Sequence, residues 1–260
     1  MNSITIIPAR MGSSRFPGKP LEKIHGFPMI EHVYRRSKQA KLTEETIVAT
    51  CDKEIFDFII SIGGEAIMTS NDHQRASDRC SEALMSINKK SSVNFDSIVM
   101  VQGDEPLVDP DQIDKTVDLF NKQPKTFVSN FAGPFHDVDE LQSKNSIKVV
   151  ASVDGNALYF SRNIIPFVPD STLEVYKKQV CIIGFSNNTL SEYSKLSTTS
   201  LEEMESIDML RVIQHGHKVK LIFTNKITLP VDVKSDIQRV ENLIEQDALY
   251  FSLFRSNFYS

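Results

Sequence analysis

From residue 3 to residue 121 the chain alternates short apolar runs with longer amphipathic ones, and few folds accept that order. Residues 3–7 form a β-branched run that reads as a buried strand, ended by Pro8. A loop rich in Gly, Ser and Pro runs on to Pro20. Residues 28–40 predict a helix with Met29, Ile30, Val33 and Tyr34 on one face. The spacing then predicts strands over 45–50, 65–68 and 96–101, and helices over 53–62, 77–88 and 111–121, with Gly63-Gly64 as a helix stop. The expected fold class is α/β: a mostly parallel, Rossmann-like sheet with helices on both faces. In such sheets ligands bind at the carboxyl ends of the strands. The Pro8–Pro20 loop and the turn at Gln102–Pro106 both fall at such ends.

The pattern changes after Phe127. Residues 146–153 and 156–160 flank Asp154-Gly155, which is a hairpin signal. A hairpin added to a wound sheet suits a substrate lobe or a dimer surface. A strand over 180–185, a helix over 201–215 stopped by Gly216, a strand over 219–223 and a helix over 235–247 capped by Ser235 complete the reading. A chain of 260 residues accommodates this as one domain, 1–260, with a β-containing lobe over about 131–217.

The net charge of -5 argues against a nucleic-acid partner, which calls for a basic excess. The three cysteines, Cys51, Cys80 and Cys181, lie far apart without CxxC spacing, so neither a disulfide framework nor a zinc site is expected. No signal peptide and no run of the ~20 apolar residues that span a bilayer is present, so a cytoplasmic location and no membrane insertion are expected.

The strongest chemistry lies in Pro8-Ala9-Arg10-Met11-Gly12-Ser13-Ser14-Arg15-Phe16-Pro17-Gly18-Lys19-Pro20-Leu21. Small residues let backbone N–H groups approach an anion, while Arg10, Arg15 and Lys19 offset a triphosphate's charge. A P-loop is excluded: five residues separate Gly12 from Gly18, and Pro20 follows Lys19. The bland alternative is a solvated basic loop. The second segment is Val101-Gln102-Gly103-Asp104-Glu105-Pro106, where a carboxylate just past a strand suits Mg²⁺ and Gln102 suits a hydroxyl or base edge. It also reads as a turn and helix cap. Asp232, before the last helix, reads either as a cap or as a second metal ligand.

Together these segments resemble the sugar-activating cytidylyltransferases, in particular the CMP-Kdo synthetase (3-deoxy-manno-octulosonate cytidylyltransferase) family. The likeness runs in order through Ile7 to Leu21, Val48-Ala49-Thr50, Asp72-His73-Gln74, Val101 to Pro106, Lys148-Val149-Val150, Tyr159-Phe160-Ser161-Arg162, Leu210-Arg211 and Val231-Asp232. The resemblance implies an enzyme that joins CMP from CTP to an acidic sugar and releases pyrophosphate, with Mg²⁺ as cofactor. It implies that Pro8, Ala9, Arg10, Ser13, Lys19, His73, Arg79 and Gln102 bind the nucleotide. Lys19, Arg15 and Asp104 would serve catalysis, and Asp104 and Asp232 would hold the metal. Gln102, Arg162, Gln179, Glu202 and Glu205 would meet the sugar. The nucleotide-binding part would be about 1–130 plus 218–260, with the lobe at 131–217 for sugar binding and dimerisation. A homodimer and a role in lipopolysaccharide or capsule synthesis follow from the likeness alone.

The departures gather in the sugar half. Arg75-Ala76-Ser77-Asp78-Arg79 stands where the family has Ser-Gly-Thr-Asp/Glu-Arg. Gln179 and Ile183 stand for a His and a Tyr, and Pro230 for a Gly before Asp232. The expectation is retained CTP and Mg²⁺ use with an acceptor that is Kdo or an acidic or amino-modified relative. The competing readings are the same fold with another acceptor or nucleotide, and a non-catalytic nucleotide-binding relative.

Overall fold

The computed structural model describes residues 2–13, 15–73, 75–90, 93–169 and 172–255; Ser14 and Gln74 of the segments above lie outside the described residues. At its centre is β1 (Ser3–Ala9), buried at all seven positions, which explains a continuous apolar run in place of an alternating one. A small hairpin, β2 (Lys23–Ile24) and β3 (Phe27–Pro28), follows the cationic loop. Then come α1 (Met29–Ser37), β4 (Glu45–Thr50), α2 (Lys53–Ser61), β5 (Glu65–Met68), α3 (Ala76–Lys90), β6 (Ser97–Val101) and α4 (Pro110–Lys122). All lie within three residues of the expected bounds. Asp109 caps α4 by accepting from Asp111 N at 2.9 Å, while Gln112 returns a bond to Asp109 N at 3.3 Å.

The second half contributes β7 (Val128–Gly133), α5 (Val138–Gln142), β8 (Lys148–Ala151), β9 (Ala157–Ser161), β10 (Lys178–Ser186), α6 (Asn187–Tyr193), α7 (Ser200–Glu205), α8 (Met209–Gln214), β11 (Val219–Phe223) and α9 (Asp236–Ile244). The main sheet runs β5-β4-β1-β6-β10-β7-β11. Its pairings are parallel except along β10, which lies antiparallel to both β6 and β7. The hairpin β8–β9 hangs from β10 through β8. The mostly parallel α/β expectation therefore holds, and residues within 131–217 supply a central strand of the sheet.

Four local expectations change. β7 was not foreseen, because its Ser129 and Asn130 are fully buried polar residues that break an apolar pattern. The short helices α5 and α6 were also unforeseen. The helix expected over 201–215 is two helices, broken where Ser206 turns left-handed at φ 56 and ψ 50. Ser235 has helical backbone angles and makes no cap bond; the Asp236 carboxylate instead accepts from Asp232 N at 2.9 Å and Val233 N at 3.0 Å.

Helices α3, α6 and α8 bury Leu84, Leu190 and Leu210 on one face of the sheet, and α1, α2 and α4 bury Val33, Ile59 and Val117 on the other. A third cluster joins Phe16 of the cationic loop to Val231 and to Val240 of α9, so the C-terminal segment is anchored beside the loop. At Gly184 a Cβ would stand 2.3 Å from Thr116 Cγ2 and 2.7 Å from Phe120 Cε2, which is how closely α4 lies on β10.

Candidate active site

The carboxyl ends of β1 and β6 lie side by side because the strands are parallel neighbours. At Gly103 a Cβ would be 3.0 Å from the Pro8 carbonyl oxygen and 3.3 Å from Ala9 Cβ, so only glycine lets the turn after β6 press against the end of β1. The loop after β1 is held at its start by Asp52, which accepts from Met11 N at 2.8 Å. It closes on itself where Gly18 N donates to Met11 O at 3.1 Å, and Ser13 Oγ accepts from Phe16 N at 3.3 Å.

Three distant segments then meet. Lys19 Nζ donates to Asp104 Oδ2 at 2.6 Å and to Val231 O at 2.7 Å. Val231 N donates to Asp104 O at 3.0 Å. Arg15 Nη2 stands 2.8 Å from Asp232 Oδ1, and Arg15 Nη1 donates to Asn145 Oδ1 in a short bond. Asp104 and Asp232 are thus neighbours. Burial pushes the Asp232 carboxyl upward, the Asp104 charge adds to this, and Arg15 and Lys19 oppose it. Behind them Glu105 is 1% exposed and pushed up to about 8, first by burial and then by Asp104. Hard oxygens from two adjacent carboxylates are what Mg²⁺ takes from a protein when phosphate oxygens and water complete its shell, so the donor set fits that ion. Among the described residues no third ligating side chain joins them.

One cavity of about 380 Å³ opens over this junction. Pro8, Ala9, Arg10, Ser13, Arg15, Lys19, His73, Arg79 and Gln102 all line it, as do Asp104 and Asp232. His73 Nε2 pairs with Glu82 at 2.5 Å, and the buried Arg79 donates to Ser70 O at 3.2 Å, so both stand fixed near the start of α3. Arg162 and Gln179, expected to meet the sugar, also line the cavity.

Glu202 and Glu205 do not. Glu202 is fully buried and spends its carboxylate on Arg211, at 2.6 and 2.7 Å. Glu205 accepts from Ser161 Oγ at 2.8 Å and from Arg162 N at 2.9 Å. Their family position near the sugar therefore corresponds here to support of the wall. Arg162 itself donates to Glu205 O at 2.6 Å, Lys144 O at 2.8 Å and Ser206 O at 3.2 Å, tying the lobe's loops together.

Several lining residues escaped the sequence. Lys178 is 2% exposed, paired with buried Glu140 and donating to Thr228 O at 2.6 Å. Nothing in Lys177-Lys178 marks one as buried. Arg75, one of the departures already read in the sugar half, lies 3.6 Å from Asp208 on the wall near Ser206, where the break between α7 and α8 brings Asp208. In all, seven Lys and Arg against four Asp and Glu line the cavity, an excess of three positive charges on a chain of net charge -5. That local sign suits an anionic ligand.

The profile of a family described as Cytidylyltransferase matches residues 4–227. A 3-deoxy-manno-octulosonate cytidylyltransferase of Fusobacterium nucleatum subsp. nucleatum is 35% identical over 95% of this chain and 98% of its own length. An 8-amino-3,8-dideoxy-manno-octulosonate cytidylyltransferase of Shewanella frigidimarina is 38% identical over 93% of this chain and 98% of its own. Among solved structures, CMP:2-keto-3-deoxy-manno-octonic acid synthetase complexed with CTP superposes with a TM-score of 0.82 at 34% identity, covering 95% of this chain and 99% of that one. With these likenesses covering most of the chain, it belongs to the cytidylyltransferase family of nucleotidyltransferases, alongside the 3-deoxy-manno-octulosonate cytidylyltransferases.

Proposed function

We propose that this protein joins CMP from CTP to 3-deoxy-manno-octulosonate or a close relative of it, releasing pyrophosphate. The observation that carries the reading is the junction of Lys19, Asp104, Val231 and Asp232 beneath a cation-lined cavity. The sugar's anomeric hydroxyl attacks the α-phosphorus; the new C–O–P link forms as the bond to the departing pyrophosphate breaks. Such a step needs alignment and charge neutralisation more than covalent help from the protein. Arg10, Ser13 and the loop's backbone bind the triphosphate, and Arg15 and Lys19 face the charge that builds on the leaving group. Pro8, Ala9, His73, Arg79 and Gln102 form the wall for the nucleoside, while Arg162 and Gln179 border the acceptor. Asp104 and Asp232 would hold Mg²⁺, which when bound supplies Lewis-acid stabilisation of phosphate charge. A homodimer working in the cytoplasm on bacterial surface glycans is part of the same proposal and follows from the family resemblance alone.

Pyrophosphate release with CTP, Mg²⁺ and a panel of acidic sugars, run beside Asp104→Ala, tests this. Release that needs CTP and one sugar, and falls by about three orders of magnitude in the variant, supports the reading. Equal release by the variant would remove the carboxylate pair from the chemistry.

A further inference from the structure

The guanidinium of Arg15 is held from two sides. Nη2 stands 2.8 Å from Asp232 Oδ1, and Nη1 donates to Asn145 Oδ1 in a short bond. Asp232 lies before α9, whereas Asn145 comes from the loop between α5 and β8. Among the described residues, the bond to Asn145 is the one hydrogen bond that ties the loop after β1 to residues 131–217. A guanidinium has donors and no acceptor, so the atom that Asn145 turns toward it has to be the amide oxygen. The Arg15 side chain is 48% exposed, and a long side chain so open to solvent is free to leave its place unless something holds it. Contacts at both terminal nitrogens fix the guanidinium plane, which a single contact does not.

The loop that carries Asn145 is itself tightly bonded. Asn145 N donates to Ser143 Oγ at 3.1 Å. Lys148 is fully buried, and its Nζ donates to Ser143 O at 2.7 Å, Ser146 O at 2.9 Å and Arg162 O at 3.0 Å. Arg162 Nη1 donates to Lys144 O at 2.8 Å and to Asn145 O at 3.5 Å. Gln179 N donates to Ile147 O at 2.8 Å. Every carbonyl from residue 143 to residue 147 thus accepts a hydrogen bond. Burying an ammonium is costly, and here three carbonyls offset the cost, with no carboxylate bonded to it. The backbone that this buried charge stiffens is the one that aims Asn145 at Arg15.

We propose that Asn145 is a positioning residue for the transfer step: from the lobe side it holds Arg15 where charge builds on the leaving group, on a loop kept rigid by Lys148 and Arg162. This rests on the cytidylyltransfer function proposed above and adds a residue to its machinery. Asn145 acts only through Arg15, so its effect should belong to the transition state and should vanish when Arg15 is gone.

The test is a double-mutant cycle of Asn145→Leu and Arg15→Met, read as pyrophosphate release with CTP, Mg²⁺ and whichever acidic sugar of the panel above the wild type turns over. Leucine keeps the branched shape of Asn145 and lacks the acceptor. In the wild-type background Asn145→Leu is expected to lower kcat and kcat/KM for CTP together by about ten- to a hundredfold, the scale of a misplaced catalytic group. KM for CTP should stay within about twofold, and thermal unfolding should match the wild type. In the Arg15→Met background the same substitution is expected to cost less than about twofold. Wild-type activity in Asn145→Leu overturns the inference, and so does a loss of the same factor in both backgrounds, which would give Asn145 a role of its own. A rise in KM for CTP with kcat unchanged overturns it as well, because that is lost ground-state binding. No release by the wild type with any sugar overturns the cytidylyltransfer reading and this inference with it, whereas the other failures leave that reading intact.

Discussion

Replacing His32 by phenylalanine removes a pH dependence of stability that the wild-type chain carries. His32 is fully buried on α1, with Nε2 donating to Ile24 O at 2.9 Å and rings of Tyr250 and Phe254 stacked at 5.8 and 4.5 Å. Burial pulls its pKa from 6.5 to about 4, and the nearby Arg36 adds to this. The unfolded chain therefore binds a proton between those values that the folded chain refuses. The stabilisation from a neutral His32 is whole above pH 6.5 and is lost as pH falls toward 4. Over the full window it amounts to roughly 3 kcal/mol, and about 2 kcal/mol of it is lost between roughly pH 7.5 and pH 5.0. Phenylalanine keeps the stacking and gives up the hydrogen bond, at a cost of about 1 kcal/mol. Urea unfolding should then show His32→Phe less stable than the wild type by about 1 kcal/mol near pH 7.5 and more stable by about 1 kcal/mol near pH 5.0. A difference between the two chains that stays constant across pH would refute the assignment of a neutral, desolvated imidazole.

Two further changes probe the sheet and the site. Gly184→Ala places a methyl group 2.3 Å from Thr116 Cγ2 and 2.6 Å from Ser129 Oγ, so it is expected to cost about 2–3 kcal/mol in chemical denaturation; an unchanged midpoint would mean that α4 lifts away freely. Lys19→Met takes the ammonium from Asp104 and Val231 O, and pyrophosphate release is expected to fall about a thousandfold. A loss below about tenfold would take Lys19 out of transition-state stabilisation.

Much of the parallel half was legible because its strands are buried on both faces and its helices are amphipathic. Gly63 then marks the end of α2, whereas β1 runs through Pro8, its expected stop, to Ala9. The second half hid its logic in polar burial. β7 carries Ser129 and Asn130 inside the sheet, and β10 begins with Lys178, which is buried against Glu140. A pattern reader places such residues at the surface, since their partners lie far off in the chain. The site divided along the same line. Arg10, Arg15, Lys19, Asp104 and Asp232 sit in local signatures and converge as expected. Glu202 and Glu205 turned inward because Arg211 and Arg162 reach them from other elements. Asp52, which no motif in the sequence singles out, fastens the start of the cationic loop.

The bonds of Lys19 span 85 residues to Asp104 and 212 to Val231. Contacts so far apart form late, after the segments between them have found their places. During synthesis the chain can build β1, β4, β5 and β6 long before residue 231 leaves the ribosome. Until then Lys19 and Asp104 lack the segment around Val231 that locks them together. The chemical centre in this sense closes late, and its activity is a report on the folding of nearly the whole chain.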